Sequence, residues 1–179
     1  MNDRYSLYRQ IRYQRAYKTL GKMTWWRIVL GVALLILALF ISGAPAKSVA
    51  ARGHFVLADK LIVSDAWMVK YKPELKAFID AGILYETGDY TAAESAFAVA
   101  DDEASEAMHS VCLLRLIELA IDSGDYDTAY DQALLVNTAL LSDTELEQNQ
   151  LLRDKLSSHY RQIRTVDWEE RCQKLEQCA

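Results

Sequence analysis

The longest apolar stretch of the chain lies near its start, at residues 28–41, where no side chain is polar. Trp25 and Trp26 come just before it, as expected for tryptophans at a membrane–water interface. The 19 residues from 25 to 43 approach the ~20 that a helix needs to cross a hydrocarbon core about 30 Å thick. The pattern therefore predicts one transmembrane helix at 25–43.

Beyond residue 43 the apolar positions recur every three or four residues, which is the spacing of amphipathic helices and not of strands. Residues 48–71 read as one long helix within a juxtamembrane, capping segment at 44–72. The same spacing predicts C-terminal capping helices and a tail at residues 144–179. The expected fold is therefore all-α, with one transmembrane helix followed by a small helical domain.

Residues 73–143, between these two capping segments, contain an internal repeat. The run GDYTAA at 88–93 returns 36 residues later as GDYDTA at 124–129. In each copy, glycine can take the positive φ that ends one helix, and aspartate can cap the next. Each copy is therefore expected to form a helical hairpin.

This pattern resembles the tetratricopeptide repeat (TPR), a helix–turn–helix unit of about 34 residues. The matching positions are Ala81, Gly88, Tyr90, Ala93, Phe97 and Ala100 in the first copy, and Leu113, Leu116, Gly124, Tyr126 and Ala129 in the second. Two such units bury little surface alone, because each needs neighbours to cover its faces. The resemblance implies a TPR-like domain of two hairpins with flanking capping helices.

In TPR domains the first helix of each repeat lines a concave groove. Mapped onto this chain, the resemblance implies a mostly apolar, partner-binding groove. Its lining residues are Leu75, Phe78, Gly82, Tyr85, Val111, Leu114, Glu118 and Ile121. Such a surface is not expected to stay exposed to water. Either the C-terminal helix of the chain fills it, or a helix of a partner protein does.

The charge of the chain is divided unevenly along its length. Residues 1–27 hold seven Lys and Arg and one acid, whereas residues 28–179 hold 13 Lys and Arg and 24 Asp and Glu. The positive-inside rule places a basic tail at 1–24 in the cytoplasm and the domain outside a single-pass cell membrane. Small residues at 44–50 also resemble a signal-peptide cleavage site, so release of a secreted form stays open.

No motif for phosphate binding, metal hydrolysis or nucleophilic catalysis is present, so we expect no enzyme and no cofactor. His54, His109 and His159 lie far apart without ligands at metal spacing. Neither nucleic acid nor a small-molecule substrate is expected. Cys172 and Cys178 could pair with each other or with a partner outside the membrane, where the compartment is oxidising.

The layout of basic head, Trp-flanked span and two short repeats resembles small bacterial membrane proteins associated with von Willebrand A-domain proteins and MoxR-type ATPases. The residues that carry this resemblance are Phe78, Gly82, Gly88, Asp89, Tyr90, Cys112, Arg115, Gly124 and Asp125. It implies a membrane-anchored scaffold that mediates protein–protein interaction on the extracytoplasmic face, in a cell-envelope or metal-insertion assembly.

Two other functions stay open at the level of sequence. One is a translocon-associated accessory factor with holdase-like behaviour, which needs an apolar groove open to unfolded clients. The other is a cleaved, secreted helical effector, with a mature N-terminus near Lys47 or Ala51. The partner and the oligomeric state do not follow from the sequence.

Overall fold

The computed structural model describes residues 25–100, 102–163 and 167–177. Within those ranges the chain forms ten α-helices and one 3₁₀ turn, with no strand, so the all-α prediction is confirmed. The basic tail at 1–24 lies outside the described residues. The chain divides into two compact units, residues 1–45 and 46–179.

The first unit contains α1 (Trp25–Ile41), which is followed by α2 (Ala44–Ala50). Gly43 adopts a φ of 73°, a left-handed value that ends α1. Among the described residues, no single helix has both the length and the apolar content to cross a bilayer, although α1 and α2 meet those limits together as a pair bent by 49°. A single straight span at 25–43 therefore stays a prediction.

The second unit carries the remaining helices, which pack on their neighbours in chain order. They are α3 (Phe55–Lys60), α4 (Asp65–Tyr71), α5 (Pro73–Glu86), α6 (Tyr90–Ala98), α7 (Glu103–Ser123), α8 (Tyr126–Ala133), the 3₁₀ turn at Thr138–Leu140, α9 (Asp143–Ile163) and α10 (Trp168–Gln177). Both α3 and α4 pack on α5, while α9 packs on α7, α8 and α10. The central α5–α8 hairpins are thus flanked at both ends.

The segment 48–71 is not the one long helix that its apolar spacing predicts. It is broken at Gly53, whose φ is +77°, and at Ser64, which is extended and caps α4. The first turn of α3 is capped from a distance, because the Glu86 carboxylate accepts the backbone N–H groups of Phe55 (2.8 Å) and Val56 (2.9 Å). This long-range cap stabilises a helix start that no local pattern indicates.

The turns of the two central hairpins, α5–α6 and α7–α8, share one geometry. The glycine φ is +87° at Gly88 and +82° at Gly124. The next residue, Asp89 or Asp125, donates its backbone N–H to the carbonyl five residues earlier, at 2.9 and 2.8 Å. Its carboxylate accepts the backbone N–H three residues later, at 3.2 Å in both turns. The local repeat in sequence is therefore a local repeat in structure.

Three clusters of buried apolar side chains hold the second unit together. The N-terminal cluster joins α2 and α3 to α5 through Ala46, Ala50, Phe55, Ala58 and Ile79. The middle cluster joins the first hairpin to α7 through Ala81, Ala93, Phe97 and Cys112. The C-terminal cluster joins α7 and α8 to α9 and α10, and includes Leu113, Leu114, Ile117, Ala129, Leu152, Leu156, Tyr160 and Leu175. The hairpins bury their faces against the flanking helices, as repeat units require.

Candidate interaction surface

The part of the predicted groove that α5 contributes is covered by α3. Leu75 and Phe78 both pack against the N-terminal cluster, and the rings of Phe78 and Phe55 meet edge-to-face with centroids 5.5 Å apart. Gly82 is buried directly beneath Phe55, so a Cβ added there would overlap the phenyl ring. The absence of a side chain at Gly82 makes room for this contact.

The part that α7 contributes is covered mainly by α9. Leu114 is only 1% exposed and shares the C-terminal cluster with Leu152 and Leu156 of α9. Ile121, two turns further along α7, packs at the edge of the same cluster and is partly buried. Val111 is also partly buried. The apolar lining is therefore brought together in two groups, each closed by a helix of the same chain.

The two polar lining residues, Tyr85 and Glu118, are linked through Arg115. The Arg115 Nη1 group donates to Glu118 Oε2 at 3.0 Å, and Gln148 of α9 lies 3.5 Å from the same oxygen. Hydrogen bonding to Tyr85, and next to Glu118, raises the pKa of Arg115 above its usual value. The Arg115–Glu118 pair follows from their i,i+3 spacing, whereas nothing in the sequence indicates Gln148.

One stretch of this face is open. A groove of about 630 Å³ lies where the C-terminal end of α7 and the start of α8 meet α9. Its lining residues are Ile121, Asp122, Tyr126, Leu151, Asp154, Lys155, Ser158, His159 and Gln162. The rings of Tyr126 and His159 stack across it, 3.3 Å apart and nearly parallel. The groove combines exposed apolar side chains with two carboxylates and one lysine, a mixed composition that suits a peptide or helix carrying apolar and charged side chains.

A buried arginine connects α9 to the C-terminal ends of α8 and α10. Arg153 on α9 is 2% exposed and donates to Asn149 Oδ1 (3.1 Å), to the Ala133 carbonyl (2.9 Å) and to the Leu175 carbonyl (2.7 Å). Ala133 is the last residue of α8, and Leu175 lies in the last turn of α10. One guanidinium thus caps the C-terminal ends of two helices, where orphan carbonyls need donors.

A second arginine ties α10 to the turn of the second hairpin. Arg171 lies about 5 Å from the ring centres of Tyr130 and Tyr160, donates to the Tyr160 hydroxyl at 3.0 Å and pairs with Asp127. The hydrogen bond and charge of Arg171 hold the pKa of the Asp127 carboxyl below its usual value. Cation–π contacts and an ion pair therefore act together at this corner.

The remaining chemistry-bearing side chains are dispersed. His109 lies 2.8 Å from Glu94 beside an acidic cleft of about 420 Å³ at the α6–α7 turn. Burial, and next the charge of Glu94, raises the pKa of Cys112 to about 12, so this thiol is a core group and not a nucleophile. In the described residues, no three His, Cys, Asp or Glu side chains converge as metal ligands would.

The predicted pairing of Cys172 with Cys178 falls partly outside the described residues, because Cys178 is not among them. Cys172 is buried in the C-terminal cluster, where its thiol donates to the Ser157 carbonyl at 3.8 Å. The pairing itself stays a prediction.

Compared with protein-family models, curated proteins and solved structures, the chain gives no match in any of the three.

Proposed function

We propose that this protein is a membrane-anchored, TPR-like scaffold that binds a protein partner through its α7–α9 groove on the extracytoplasmic face. The observation that carries the proposal is the open, partly apolar groove at the end of a repeat face that is otherwise closed. In the proposed topology, α1 anchors the chain and residues 1–24 lie in the cytoplasm. The proposed partner class of the groove is von Willebrand A-domain proteins.

The anchor is supported by the exposure of α1. Every residue from Trp25 to Ile41 is exposed, including Leu30 at 62% and Leu35 at 64%. Leaving so many aliphatic side chains in water is unfavourable by about 25 cal/mol for each Å² of apolar surface. A bilayer would remove that surface from water, and the basic residues before the span favour a cytoplasmic N-terminus.

The scaffold role is supported by what the groove contains. Leu151 is 57% exposed at its edge, close to the stacked Tyr126 and His159 rings. Asp122 and Asp154 line the same groove, together with Lys155. A partner helix with one apolar anchor and neighbouring lysines or arginines would match both features, because aromatic and aliphatic anchors supply affinity and charges supply orientation.

The closed part of the face favours the scaffold over a holdase. A holdase needs a broad apolar surface for unfolded clients, whereas Phe78 is covered by Phe55 and Leu114 lies beneath α9. The predicted groove is therefore not one broad apolar surface, and its accessible part around Leu151 has a size that suits one defined segment.

The proposal can be tested by site-specific photo-crosslinking in native membranes. A photoreactive residue replaces Leu151 in the groove or, as a matched control, Leu135, which is 64% exposed and outside it. We expect an A-domain protein to crosslink at 151 but not at 135. Adding Asp122→Lys and Asp154→Lys should abolish the crosslink at 151.

Three outcomes would contradict the proposal. Translocon subunits, or many unfolded secretory proteins, crosslinked at 151 would favour the accessory-factor function. Equal crosslinking at 151 and 135 would remove the groove as the binding site. A mature protein whose N-terminus lies near Lys47 or Ala51 would favour a secreted effector and exclude the anchor.

A further inference from the structure

The charge of the chain changes sign again within the part that follows α1. Residues 44–72 hold five Lys and Arg and two acids, whereas residues 73–179 hold eight Lys and Arg and 22 acids. The basic residues of the first segment are Lys47, Arg52, Lys60, Lys70 and Lys72, all of them exposed. The helices between the apolar α1 and the acidic hairpins therefore carry a local positive charge.

The two acids of this segment are held by a single lysine of α5. Lys76 Nζ lies 3.3 Å from Asp59 of α3 and 3.7 Å from Asp65 of α4, and it also pairs with Asp80. In contrast, within the described residues none of the five basic side chains of the segment forms an ion pair with a carboxylate. Their charge is free to act on something outside the domain.

Exposed apolar side chains are concentrated in α3, in α4 and in the loop between these two helices. They are Val56, Leu57, Val63, Val69 and Tyr71, each at least 40% exposed. On α4, Met68 is buried, whereas Trp67 and Tyr71 contact one another with ring centres 5.2 Å apart and ring planes tilted by 37°. Lys70 lies 5.1 Å from the centre of the Tyr71 ring. Aromatic rings beside lysines are typical of side chains that sit among lipid headgroups.

We propose that residues 52–72, here called the α3–α4 layer, lie against the surface of the anionic bilayer in which the chain is anchored. The proposal rests on the membrane anchor of the proposed function. Charge complementarity identifies the occupant, because a basic layer attracts phosphatidylglycerol-type headgroups while the acidic residues 73–179 are repelled by them. Chain continuity adds to this, since α3 begins five residues after α2 ends.

This contact would orient the domain as well as tether it. The aliphatic and aromatic side chains of the layer enter the headgroup region, and the lysines bind phosphates.

The test is spin labelling of the full-length chain in vesicles of equal parts phosphatidylglycerol and phosphatidylcholine. One cysteine is added in place of Val69 in the layer, Leu135 in the turn after α8 or Leu35 in α1, each in a Cys178→Ser background. Val69 and Leu135 are matched apolar sites, 60% and 64% exposed. The native Cys112 and Cys172 are buried, and the Cys178→Ser chain without an added cysteine measures any label that they take up.

We expect the label at 69 to lose accessibility to a water-soluble nickel complex and gain accessibility to oxygen, while the label at 135 does neither. Lys60→Gln, Lys70→Gln and Lys72→Gln together should return the label at 69 to the accessibility at 135. So should 1 M salt, because salt screens the charges.

A label at 35 in hydrocarbon with the label at 69 in water would overturn the α3–α4 proposal and leave the anchor intact, and the layer would then be available to a protein. A label at 35 in water would instead contradict the anchor itself. Equal lipid contact at 69 and 135 would show that the layer has no preference and would also overturn the inference.

Discussion

The two central hairpins have turns of the same geometry, but different parts of the chain cover their faces. In the first, α5 is closed by one aromatic ring, Phe55, which fits against a glycine at position 82. In the second, the position 36 residues later is Glu118, and a helix of 21 residues, α9, lies over α7. The comparison shows that a repeated turn does not imply a repeated environment, because the face that each hairpin presents is set by side chains outside the turn.

Stability should fall most when the side chains that cover the two hairpins are removed. We expect Phe55→Ala and Leu156→Ala each to lower the free energy of unfolding by about 4 kcal/mol, since both side chains are at most 1% exposed and each leaves a cavity. Denaturant unfolding of the purified full-length protein measures both. The matched controls are Leu57→Ala and Leu151→Ala, which lie on the same helices but are exposed, and which should change stability by less than about 0.5 kcal/mol.

An unchanged stability for Phe55→Ala, combined with a large loss for Leu156→Ala, would contradict the view that both hairpins need a covering side chain. It would mean that α3 is not part of the cooperative unit and that the first hairpin does not need its cover.

The next effect concerns the buried arginine, which has no counterpart in the first hairpin. Arg153→Met removes the donor for the Ala133 and Leu175 carbonyls and should cost about 3 kcal/mol, because buried acceptors of charged hydrogen bonds are left without their partner. Hydrogen exchange should rise first in α10. Arg161→Met, on the same helix but exposed and paired with Glu176, should change stability by less than about 0.5 kcal/mol.

The turn glycines should behave alike in the two hairpins. Gly88→Ala and Gly124→Ala each force an alanine into a left-handed conformation, and we expect a loss of about 1–2 kcal/mol from each. Gly88→Asn and Gly124→Asn should lose less, because asparagine tolerates that region better. Thermal unfolding of the four variants checks this. A difference between the two alanine variants much larger than 1 kcal/mol would show that the turns are not equivalent.

The smallest effect is a pH dependence confined to the second turn, where Asp127 pairs with Arg171. The lowered pKa of Asp127 means that its contribution to stability is present above about pH 4 and is lost as the pH falls through the folded-state value. Asp127→Asn should therefore lower the urea midpoint at pH 6 but not at pH 2. Asp131→Asn, the same charge change on the same helix, is the control, and an equal pH profile for both variants would contradict the assignment.

Local patterns predicted the helices and both turns, but they did not predict the interruptions of 48–71. Apolar spacing cannot distinguish one long helix from several short ones, because the short helices keep the same spacing of three or four residues, as between Ala46 and Ala50 in α2 and between Phe55 and Ala58 in α3. The start of α3 depends on Glu86, about 30 residues further along the chain. The predicted groove residues are likewise distributed over two closed groups, and only Ile121 reaches the open groove.

Features that depend on near neighbours followed from the order of residues: the all-α fold, the apolar α1, and the two Gly-Asp-Tyr turns with their left-handed glycines and aspartate caps. The tertiary structure alone decided which faces were closed. Phe55 fills the space over Gly82, α9 covers Leu114, and Arg153 joins the ends of α8 and α10. Those contacts join residues about 20 to 40 positions apart. Residues so far apart meet only when the chain folds, and shape and hydrogen bonding in the folded chain then select the partners, so no local pattern indicates them.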